Sequence, residues 1–456
     1  MLESINPLNE ERLQTYSEHT PAELEGALHR AERAFQSWRK TSIAERANLL
    51  KNASIVLQRN VERYAELITH EMGKPITQSR AEIEKCAINC AYFADHAEEF
   101  LRPEMVETDA KKSYVAFEPL GVVLAIMPWN FPFWQVFRCA APTLAAGNTL
   151  VLKHAPTTTS CALAAEEVFR EAGFPEGVYQ TLLIAAQHVP ERISMLIEHR
   201  IVKAVTLTGS TNAGKFVAAK AGVMLKKSVL ELGGSDPYII LDDADLDLAV
   251  ETCVNSRCIN TGQSCISAKR FIVLESVRKK FEEAFVERMR AKRVGDPMSG
   301  VDLGPLARQD LREKLHQQVV QSQNKGAELL LGGTLPEGKG FFYPPTVLSA
   351  VRKGMPAFDE ELFGPVAAII SAKDEAEALA LANDTCYGLG AAIFTRDLER
   401  GERLAREVEA GNCFINAMVK SDPRLPFGGI KESGFGRELS RIGMHEFVNI
   451  KTVFVK

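Results

Sequence analysis

The sequence lacks the short motifs that mark several large enzyme classes. It contains no H-E-x-x-H and no paired C-x-x-C, which argues against a metal-dependent hydrolase. It also contains no G-x-G-x-x-G, the phosphate-binding turn of common Rossmann dehydrogenases. Internal repeats and low-complexity tracts are missing as well, which argues against a solenoid or a disordered tail. No metal site is expected.

An excess of basic residues is also missing. The 54 lysines and arginines are outnumbered by 59 aspartates and glutamates, which leaves a net charge of −5. Nucleic acids and anionic membranes bind most strongly to basic protein surfaces, so neither is expected as a partner. The most apolar stretch, Val122–Trp134, is short and contains two prolines and an asparagine, so it does not read as a membrane span.

Signals of secretion are missing too. The N-terminal residues MLESINPLNEERLQTY show no basic segment followed by an apolar one. The nine cysteines are odd in number and are not spaced as a disulfide framework, which favours reduced thiols. These features predict a cytoplasmic enzyme, and 456 residues are enough for two large lobes.

The hydrophobic pattern predicts an α/β fold. Residues 21–70 and 75–100 have apolar positions at helical spacing, and 113–118 alternates like half of a hairpin. From residue 120 strands and helices alternate, which implies a parallel sheet covered on both faces. The predicted elements are strands at Val122–Met127, Thr149–Lys153 and Val202–Thr208, and helices at Trp134–Ala146, Cys161–Ala172 and from Thr211. A second α/β run starts near Tyr238 and continues past residue 410.

Three short segments carry residues suited to catalysis. Cys265 in Asn-Thr-Gly-Gln-Ser-Cys lies among small residues that permit a tight turn exposing the sulfur, although a free cysteine is more often a buried apolar residue. Glu231 lies in an apolar strand that ends in two glycines, where burial would raise its pKa towards that of a general base. Asn130, held between two prolines, has a side-chain amide suited to an oxyanion. Alone, each has an ordinary structural explanation.

Together these segments resemble the aldehyde dehydrogenase superfamily, and bacterial succinate-semialdehyde dehydrogenases most closely. The matching motifs run in order along nearly the whole chain: Ile5-Asn-Pro, PWNFP, Leu152-Lys153, Thr208-Gly-Ser210, LELGG, NTGQSC, Glu361-Leu-Phe-Gly-Pro365 and Pro426-Phe-Gly-Gly429. The resemblance implies that Cys265 attacks the aldehyde, while Asn130 and the Cys265 N–H hold the oxyanion. It implies that Glu231 activates water to hydrolyse the thioester, so that the product is a free acid.

The resemblance also implies a cofactor site for NADP or NAD. Its residues would be Met127, Pro128, Trp129, Lys153, His154, Pro156, Gly209, Ser210, Leu232, Glu361 and Phe363. The Gly209-Ser210 turn precedes a helix whose N-terminus can meet the pyrophosphate. Family members specific for NAD usually carry a glutamate where this chain has Pro156. Its absence admits NADP without demanding it, so both cofactors stay open.

The substrate prediction rests on the same resemblance. Arg138 and Ser421 would contact a substrate carboxylate, whereas the ordinary explanation for Arg138 is a salt bridge to a neighbouring helix or subunit. A second substrate arginine found in some animal relatives is replaced by Ile259, and it is open whether Arg257 reaches the pocket. A redox-regulating cysteine is replaced by Ser267, and Cys258 reads as a buried thiol.

The resemblance implies an architecture of two Rossmann-like α/β lobes with an oligomerisation arm. The predicted parts are a cofactor domain (1–107 and 120–232), a catalytic domain (233–429), an arm (108–119 and 446–456) and a segment that returns to the cofactor domain (430–445). An exposed apolar strand pair favours a homodimer or homotetramer. The alternatives are an oxidiser of another short-chain, anionic or long-chain aldehyde, and a non-enzymatic binding protein on the same fold.

Overall fold

The structure is a computed structural model that describes residues 1–456 and contains eighteen strands. The strands are β1 (Leu2–Ile5), β2 (Arg12–Tyr16), β3 (Glu104–Met105), β4 (Lys112–Pro119), β5 (Val122–Met127), β6 (Thr149–His154), β7 (Tyr179–Leu182), β8 (Val202–Thr208), β9 (Lys227–Glu231), β10 (Pro237–Ile240), β11 (Arg270–Leu274), β12 (Glu328–Leu331), β13 (Thr346–Ser349), β14 (Val366–Ala372), β15 (Gly390–Phe394), β16 (Asn412–Ile415), β17 (Gly434–Phe435) and β18 (Val448–Val455).

Fifteen α-helices connect and cover these strands. They are α1 (Pro21–Trp38), α2 (Ile43–Arg59), α3 (Val61–Met72), α4 (Ile76–Leu101), α5 (Trp134–Ala145), α6 (Thr159–Glu171), α7 (Val189–Glu198), α8 (Thr211–Val223), α9 (Leu246–Cys258), α10 (Glu275–Arg290), α11 (Gln309–Asn324), α12 (Pro356–Asp359), α13 (Glu375–Asn383), α14 (Leu398–Glu407) and α15 (Ser440–His445). None of them combines the length and the apolar composition that a membrane crossing requires.

The first large sheet has the strand order β17-β9-β8-β5-β6-β7. Strands β5 to β9 run parallel, and the short β17 pairs antiparallel with β9. The chain moves outward from β5 in one direction through β6 and β7, and in the other through β8 and β9. The carboxyl ends of β5 and β8 therefore meet at a topological switch point, where open α/β sheets bind ligands.

The second large sheet has the order β12-β13-β14-β11-β10-β15-β16 and is parallel except for the β12–β13 pair. It begins six residues after β9, because β10 starts at Pro237 and β9 ends at Glu231. The end of one sheet thus leads directly into the other, and a cleft lies between them.

Each sheet is buried on both faces, which explains the continuous apolar runs of its strands. In β5, Ala125 and Met127 pack into one cluster, whereas Leu124 and Ile126 pack into another. In β10, Ile239 and Ile240 divide in the same way. Successive side chains of a strand point to opposite faces, so each sheet holds two separate cores.

A third, smaller sheet stands apart with the order β18-β4-β3. Strands β4 and β18 pair antiparallel along eight residues each, from Val448 opposite Pro119 to Val455 opposite Lys112. Ile450 and Phe454 remain 61% and 51% exposed, so this sheet presents apolar side chains without a partner in the chain.

Most predicted elements agree with the structure within two residues. The strands Val122–Met127 and Val202–Thr208 and the helix start at Thr211 are confirmed. The region 21–70 divides into α1, α2 and α3, and the long helix predicted at 75–100 is α4. The half hairpin at 113–118 is part of β4, which pairs with both β3 and β18. The N-terminal pair β1–β2 was not predicted.

Candidate active site

A cleft of about 540 Å³ lies at the carboxyl ends of β5 and β8. This volume is within the range of small-molecule sites. Nine of the predicted site residues line it: Pro128, Trp129, Asn130, Gly209, Ser210, Leu232, Cys265, Glu361 and Phe363. The fold therefore brings together the PWN, Gly-Ser and Cys265 segments, which are far apart in sequence.

The loop before Cys265 has an unusual backbone. Asn260 and Thr261 both have a φ of 54°, the left-handed region that few residues other than glycine adopt. At Gly262 a Cβ would lie 2.3 Å from the Gly364 carbonyl carbon, so only glycine fits. Arg257 is fully buried and donates to the Gly262 carbonyl at 2.6 Å. Arg257 therefore holds the loop from behind, and it does not line the cleft.

Cys265 is partly exposed at the floor of the cleft. Burial of the sulfur raises the pKa of its thiol to about 12, although Arg138 and Lys269 lower it in part. Lys269 is fully buried and donates to the carbonyls of Ser264, Cys265 and Ser267 at 2.8–3.0 Å. This lysine fixes the backbone on the far side of the nucleophile.

Asn130 is held rigidly beside the same loop. Its Nδ2 donates to the Gln263 carbonyl at 2.9 Å, and its Oδ1 accepts from Gln135 Nε2 at 3.1 Å. Asn260 donates to the Asn130 carbonyl at 2.7 Å. An amide nitrogen has two N–H donors, so one stays available for a ligand in the cleft.

Glu231 is the last residue of β9 and is 2% exposed. Neither carboxylate oxygen has a hydrogen-bond partner. Burial raises the pKa of Glu231 well above its usual value, and Arg138 opposes this shift in part. Its side chain does not line the cleft, but it lies close enough to Cys265 to influence the thiol pKa.

Arg138, on α5, is 3% exposed and forms a buried ion pair with Glu438. Its Nη2 donates to Thr208 Oγ1 at 3.0 Å, and its guanidinium lies over the Phe427 ring. Burial lowers the pKa of Arg138, but Glu438 and Glu231 outweigh this effect and raise it. Arg138 therefore forms a salt bridge within the fold, as its ordinary explanation predicts, and Glu438 is the partner.

Ser421, the other predicted substrate residue, lies in the loop after β16. Its Oγ accepts from Lys85 Nζ at 2.7 Å. Neither Ser421 nor Arg138 lines the cleft that Cys265 shares with the cofactor residues.

The N-terminus of α8 faces the cleft through Gly209, Ser210 and Thr211. Ser210 caps the helix, because its side chain accepts from the Ala213 N–H at 3.3 Å. At Gly214 a Cβ would lie 2.4 Å from the Leu232 side chain, so a glycine allows α8 to pack closely against the cleft wall. The first N–H groups of a helix lack partners within it and attract phosphate.

The cleft also has an aromatic wall and a carboxylate. Trp129 and Phe363 meet edge to face, with ring centroids 5.8 Å apart. Glu361 Oε1 accepts from the Gly234 N–H at 3.0 Å and lies 3.8 Å from Lys269 Nζ. An anion-binding helix end, an aromatic wall and a polar anchor in one cleft fit an extended dinucleotide.

Four predicted cofactor residues lie outside the lining of this cleft: Met127, Lys153, His154 and Pro156. Lys153 is 6% exposed, and burial lowers the pKa of its side chain to about 8. Its Nζ makes no hydrogen bond or ion pair in the chain, which leaves it free for a ligand beside β6. His154 instead lies between the Pro132 carbonyl at 3.1 Å and Thr158 Oγ1 at 3.0 Å. Burial lowers its pKa to about 4, so it is neutral at pH 7.

Four residues that contact predicted site residues escaped the sequence prediction: Lys85, Gln135, Lys269 and Glu438. Lys269 had a detectable signal, since a lysine directly before the apolar strand β11 needs partners when it is buried. Lys85 and Glu438 had none, because each is a single charged residue in a mixed segment.

Comparison with known proteins agrees with this geometry. The pattern of the aldehyde dehydrogenase family matches residues 1–453. The chain belongs to the aldehyde dehydrogenase family. A probable NADP(+) succinate-semialdehyde dehydrogenase of Synechocystis is 49% identical over 453 residues, which cover 99% of each chain. An NAD(P)+ succinate semialdehyde dehydrogenase of Escherichia coli K12 is 48% identical and covers 99% of this chain and 97% of that one.

The aldehyde dehydrogenase fold is confirmed by solved structures. The succinic semialdehyde dehydrogenase of Streptococcus pyogenes, solved in complex with NADP+, superposes with a TM-score of 0.97. It is 39% identical, and each chain is covered completely. The resemblance drawn from the sequence motifs, the α/β fold class and the assignment as an aldehyde-oxidising enzyme are thus confirmed.

Proposed function

We propose that this aldehyde dehydrogenase oxidises succinic semialdehyde to succinate with NADP or NAD. The observation that carries the proposal is the position of Cys265, which opens into the same cleft as the α8 N-terminus and Glu361. A cysteine that shares a cleft with a proposed dinucleotide site can hold an aldehyde carbon next to the hydride acceptor. The substrate is proposed from the relatives, two of which are named for it at 48–49% identity.

Cys265 is proposed to attack the aldehyde carbon as a thiolate and to form a thiohemiacetal. Because burial raises the pKa of the thiol to about 12, the neutral thiol is the resting form, and its proton passes to solvent water to give the attacking thiolate. The free Nδ2 N–H of Asn130 and the backbone N–H of Cys265 would stabilise the oxyanion. Asn130 is preorganised for this role by its bonds to Gln263 and Gln135.

NADP or NAD, when bound in the cleft, would supply the hydride acceptor that oxidation of the thiohemiacetal on Cys265 to a thioester requires. We propose that the Glu231 carboxylate then removes a proton from water, which attacks the thioester and releases the acid. A carboxylate without hydrogen-bond partners is a stronger base than a solvated one, because its raised pKa reflects poor stabilisation of the charge.

The cofactor residues are proposed in three groups. Gly209 and Ser210 would meet the pyrophosphate at the end of α8, and Lys153 would bind the adenosine ribose. Glu361 would bind the ribose attached to the nicotinamide. The remaining predicted contacts are Met127, Pro128, Trp129, Pro156, Leu232 and Phe363. His154 is proposed only to shape this site, because it is neutral and bonded within the fold.

All nine cysteines are free, which suits a thiol enzyme in a reducing cytoplasm. We therefore propose a cytoplasmic location. The 1–107 and 120–232 segments would hold the cofactor and the 233–429 segment would hold the nucleophile, with 430–445 returning to the first unit.

Replacement of Cys265 tests the mechanism. We expect Cys265→Ala to lose several orders of magnitude in kcat, because no other group can form the thioester. The measurement is formation of the reduced cofactor with succinic semialdehyde, and calorimetry should show cofactor binding unchanged. Cys386→Ala removes an exposed thiol and serves as the matched control. Wild-type turnover in Cys265→Ala would refute the proposed mechanism.

A further inference from the structure

The start of α4 packs directly against the loop that leads to Cys265. A Cβ added at Gly304 would collide with the carbonyl oxygen of Gly73, which lies just before α4, so the two backbones touch. Thr261, in the loop before Cys265, accepts from the Gly304 N–H at 3.1 Å through its Oγ1. The beginning of α4 is therefore held at a fixed distance from the nucleophile loop.

The side chain of Gln78, in the first turn of α4, bridges this contact. Its Oε1 accepts from the Asn260 N–H at 2.6 Å, and its Nε2 donates to the Asp302 carbonyl at 3.4 Å. Asn260 is fully buried and has a left-handed φ of 54°, a conformation that persists only where its surroundings hold it. The bond from Gln78 is the one hydrogen bond that reaches the Asn260 backbone from outside the loop.

Asn260 in turn joins the two segments that are proposed to hold the oxyanion. Its Nδ2 donates to the Asn130 carbonyl at 2.7 Å and to the Gln263 carbonyl at 3.1 Å. Asn130 Nδ2 donates to the same Gln263 carbonyl at 2.9 Å. Cys265, whose backbone N–H is the second proposed donor, follows Gln263 by two residues. A shift of Asn260 would therefore move the two donors relative to each other.

The same helix also holds the far side of the Asn130 segment. Glu82, in the next turn of α4, accepts from the N–H groups of Phe133 and Trp134 at 2.9 Å each. Lys74 forms a buried ion pair with Glu82 and so fixes this carboxylate. Since both loops are bonded to one helix, their spacing depends on side chains of α4.

We infer that Gln78 is a positioning residue for the oxidation, because it fixes Asn260 and thereby sets the spacing of Asn130 Nδ2 and the Cys265 N–H. Donors of an oxyanion site act only when they point to the position where the charge develops, so a small displacement weakens them. Gln78 does not line the cleft and so acts without touching the substrate. The inference rests on the proposed oxyanion role of Asn130.

Replacement of Gln78 tests the inference. Gln78→Leu removes the acceptor for the Asn260 N–H, and we expect kcat for succinic semialdehyde to fall about 10- to 100-fold, less than the loss of a complete oxyanion donor. KM for the cofactor should stay unchanged. Gln78→Glu keeps an oxygen that accepts from Asn260, so it should retain most of the wild-type kcat. Gln58→Leu, on the exposed face of α2, is the matched control and should leave kcat unchanged.

A double-mutant cycle with Asn130→Ala separates positioning from a general effect on folding. Once the Asn130 amide is removed, displacement of Asn260 has less left to disturb. We therefore expect Gln78→Leu to lower kcat by about threefold or less in the Asn130→Ala background, because residues that act as a unit are not additive. A merely structural role of Gln78 would lower kcat by the same factor in both backgrounds.

The outcomes distinguish this inference from the proposed function. An undiminished kcat in Gln78→Leu, or equal losses in the two backgrounds, would overturn the role of Gln78 and leave the proposed function standing. An undiminished kcat in Asn130→Ala would instead overturn the oxyanion proposal itself. Should Gln78→Leu fail to fold, Gln78→Asn decides, because its shorter amide no longer reaches the Asn260 N–H. A wild-type kcat in Gln78→Asn would also overturn the inference.

Discussion

At the scale of the residue, the pKa of the proposed base Glu231 depends on which buried charges are paired. Glu231 and Glu438 are both buried beside Arg138, but only Glu438 forms an ion pair with it. The pKa of Glu231 is raised by burial, so this carboxyl ionises at higher pH than an ordinary glutamate. A general base needs the ionised form, so thioester hydrolysis should accelerate as the pH rises through this raised pKa.

Replacement of Glu231 should separate the two halves of the reaction. In Glu231→Gln we expect a burst of about one reduced cofactor per active site, followed by a steady rate about 10²- to 10⁴-fold lower than in the wild type. Rapid mixing with succinic semialdehyde measures both phases. Added hydroxylamine should restore part of the steady rate, because it attacks the thioester without a base. A variant with no burst and an undiminished steady rate would contradict the base role.

At the scale of the element, the end of β6 determines the surroundings of the adenosine ribose. Lys153 and His154 end this strand, and Pro156 begins the 3-10 turn that follows it. His154 is neutral at pH 7, and Lys153 Nζ has no partner in the chain. Lys153 is therefore the one side chain at this strand end that could offer a positive charge to a cofactor. No carboxylate stands at position 156 to repel a 2′-phosphate.

Pro156→Glu should therefore change the cofactor preference. A carboxylate at this position would accept hydrogen bonds from the ribose hydroxyls of NAD and repel the phosphate of NADP. We expect the NADP-to-NAD ratio of kcat/KM to fall about tenfold or more. Pro156→Gln, of similar reach but neutral, is the control for loss of the proline. Equal ratios in the two variants would show that charge at position 156 has no influence.

The boundaries of such elements were predictable because local patterns determine them. Strands β5 and β8 and the start of α8 follow from apolar runs bounded by turn residues. The β1–β2 pair was missed because only Leu2 and Ser4 of β1 are buried and β2 is largely exposed, so neither strand has a strong pattern. Pairing of strands that are distant in sequence, such as β4 with β18, depends on the fold.

At the scale of the whole molecule, the β18-β4-β3 sheet is an apolar surface without a partner in the chain. Ile450 and Phe454 are more than half exposed on β18, and a long open edge of this kind invites pairing. We propose that this sheet is the arm through which the protein forms a homodimer or homotetramer.

A charge on the arm tests this assembly. We expect Ile450→Lys combined with Phe454→Lys to shift the protein to smaller species in light scattering after size-exclusion chromatography, because two charges would be buried at the interface. Ile55→Lys combined with Leu398→Lys is the control, since both side chains are 59% exposed outside the arm. An arm variant of wild-type mass would contradict the proposed interface.

The sequence by itself determined the family, the α/β class and the segments that carry Cys265, Glu231 and Asn130, because these depend on local patterns and on motifs in order. Only the tertiary structure decided which charges neutralise one another. The sequence left open whether Arg138 meets a substrate carboxylate or a salt-bridge partner, and the fold places Glu438, from near the C-terminus, beside it. Lys85, which no motif marked, has no carboxylate partner and donates to Ser421 instead. Coulomb and desolvation energies depend on distance and burial in three dimensions, so partners remote in sequence became visible only in the folded chain.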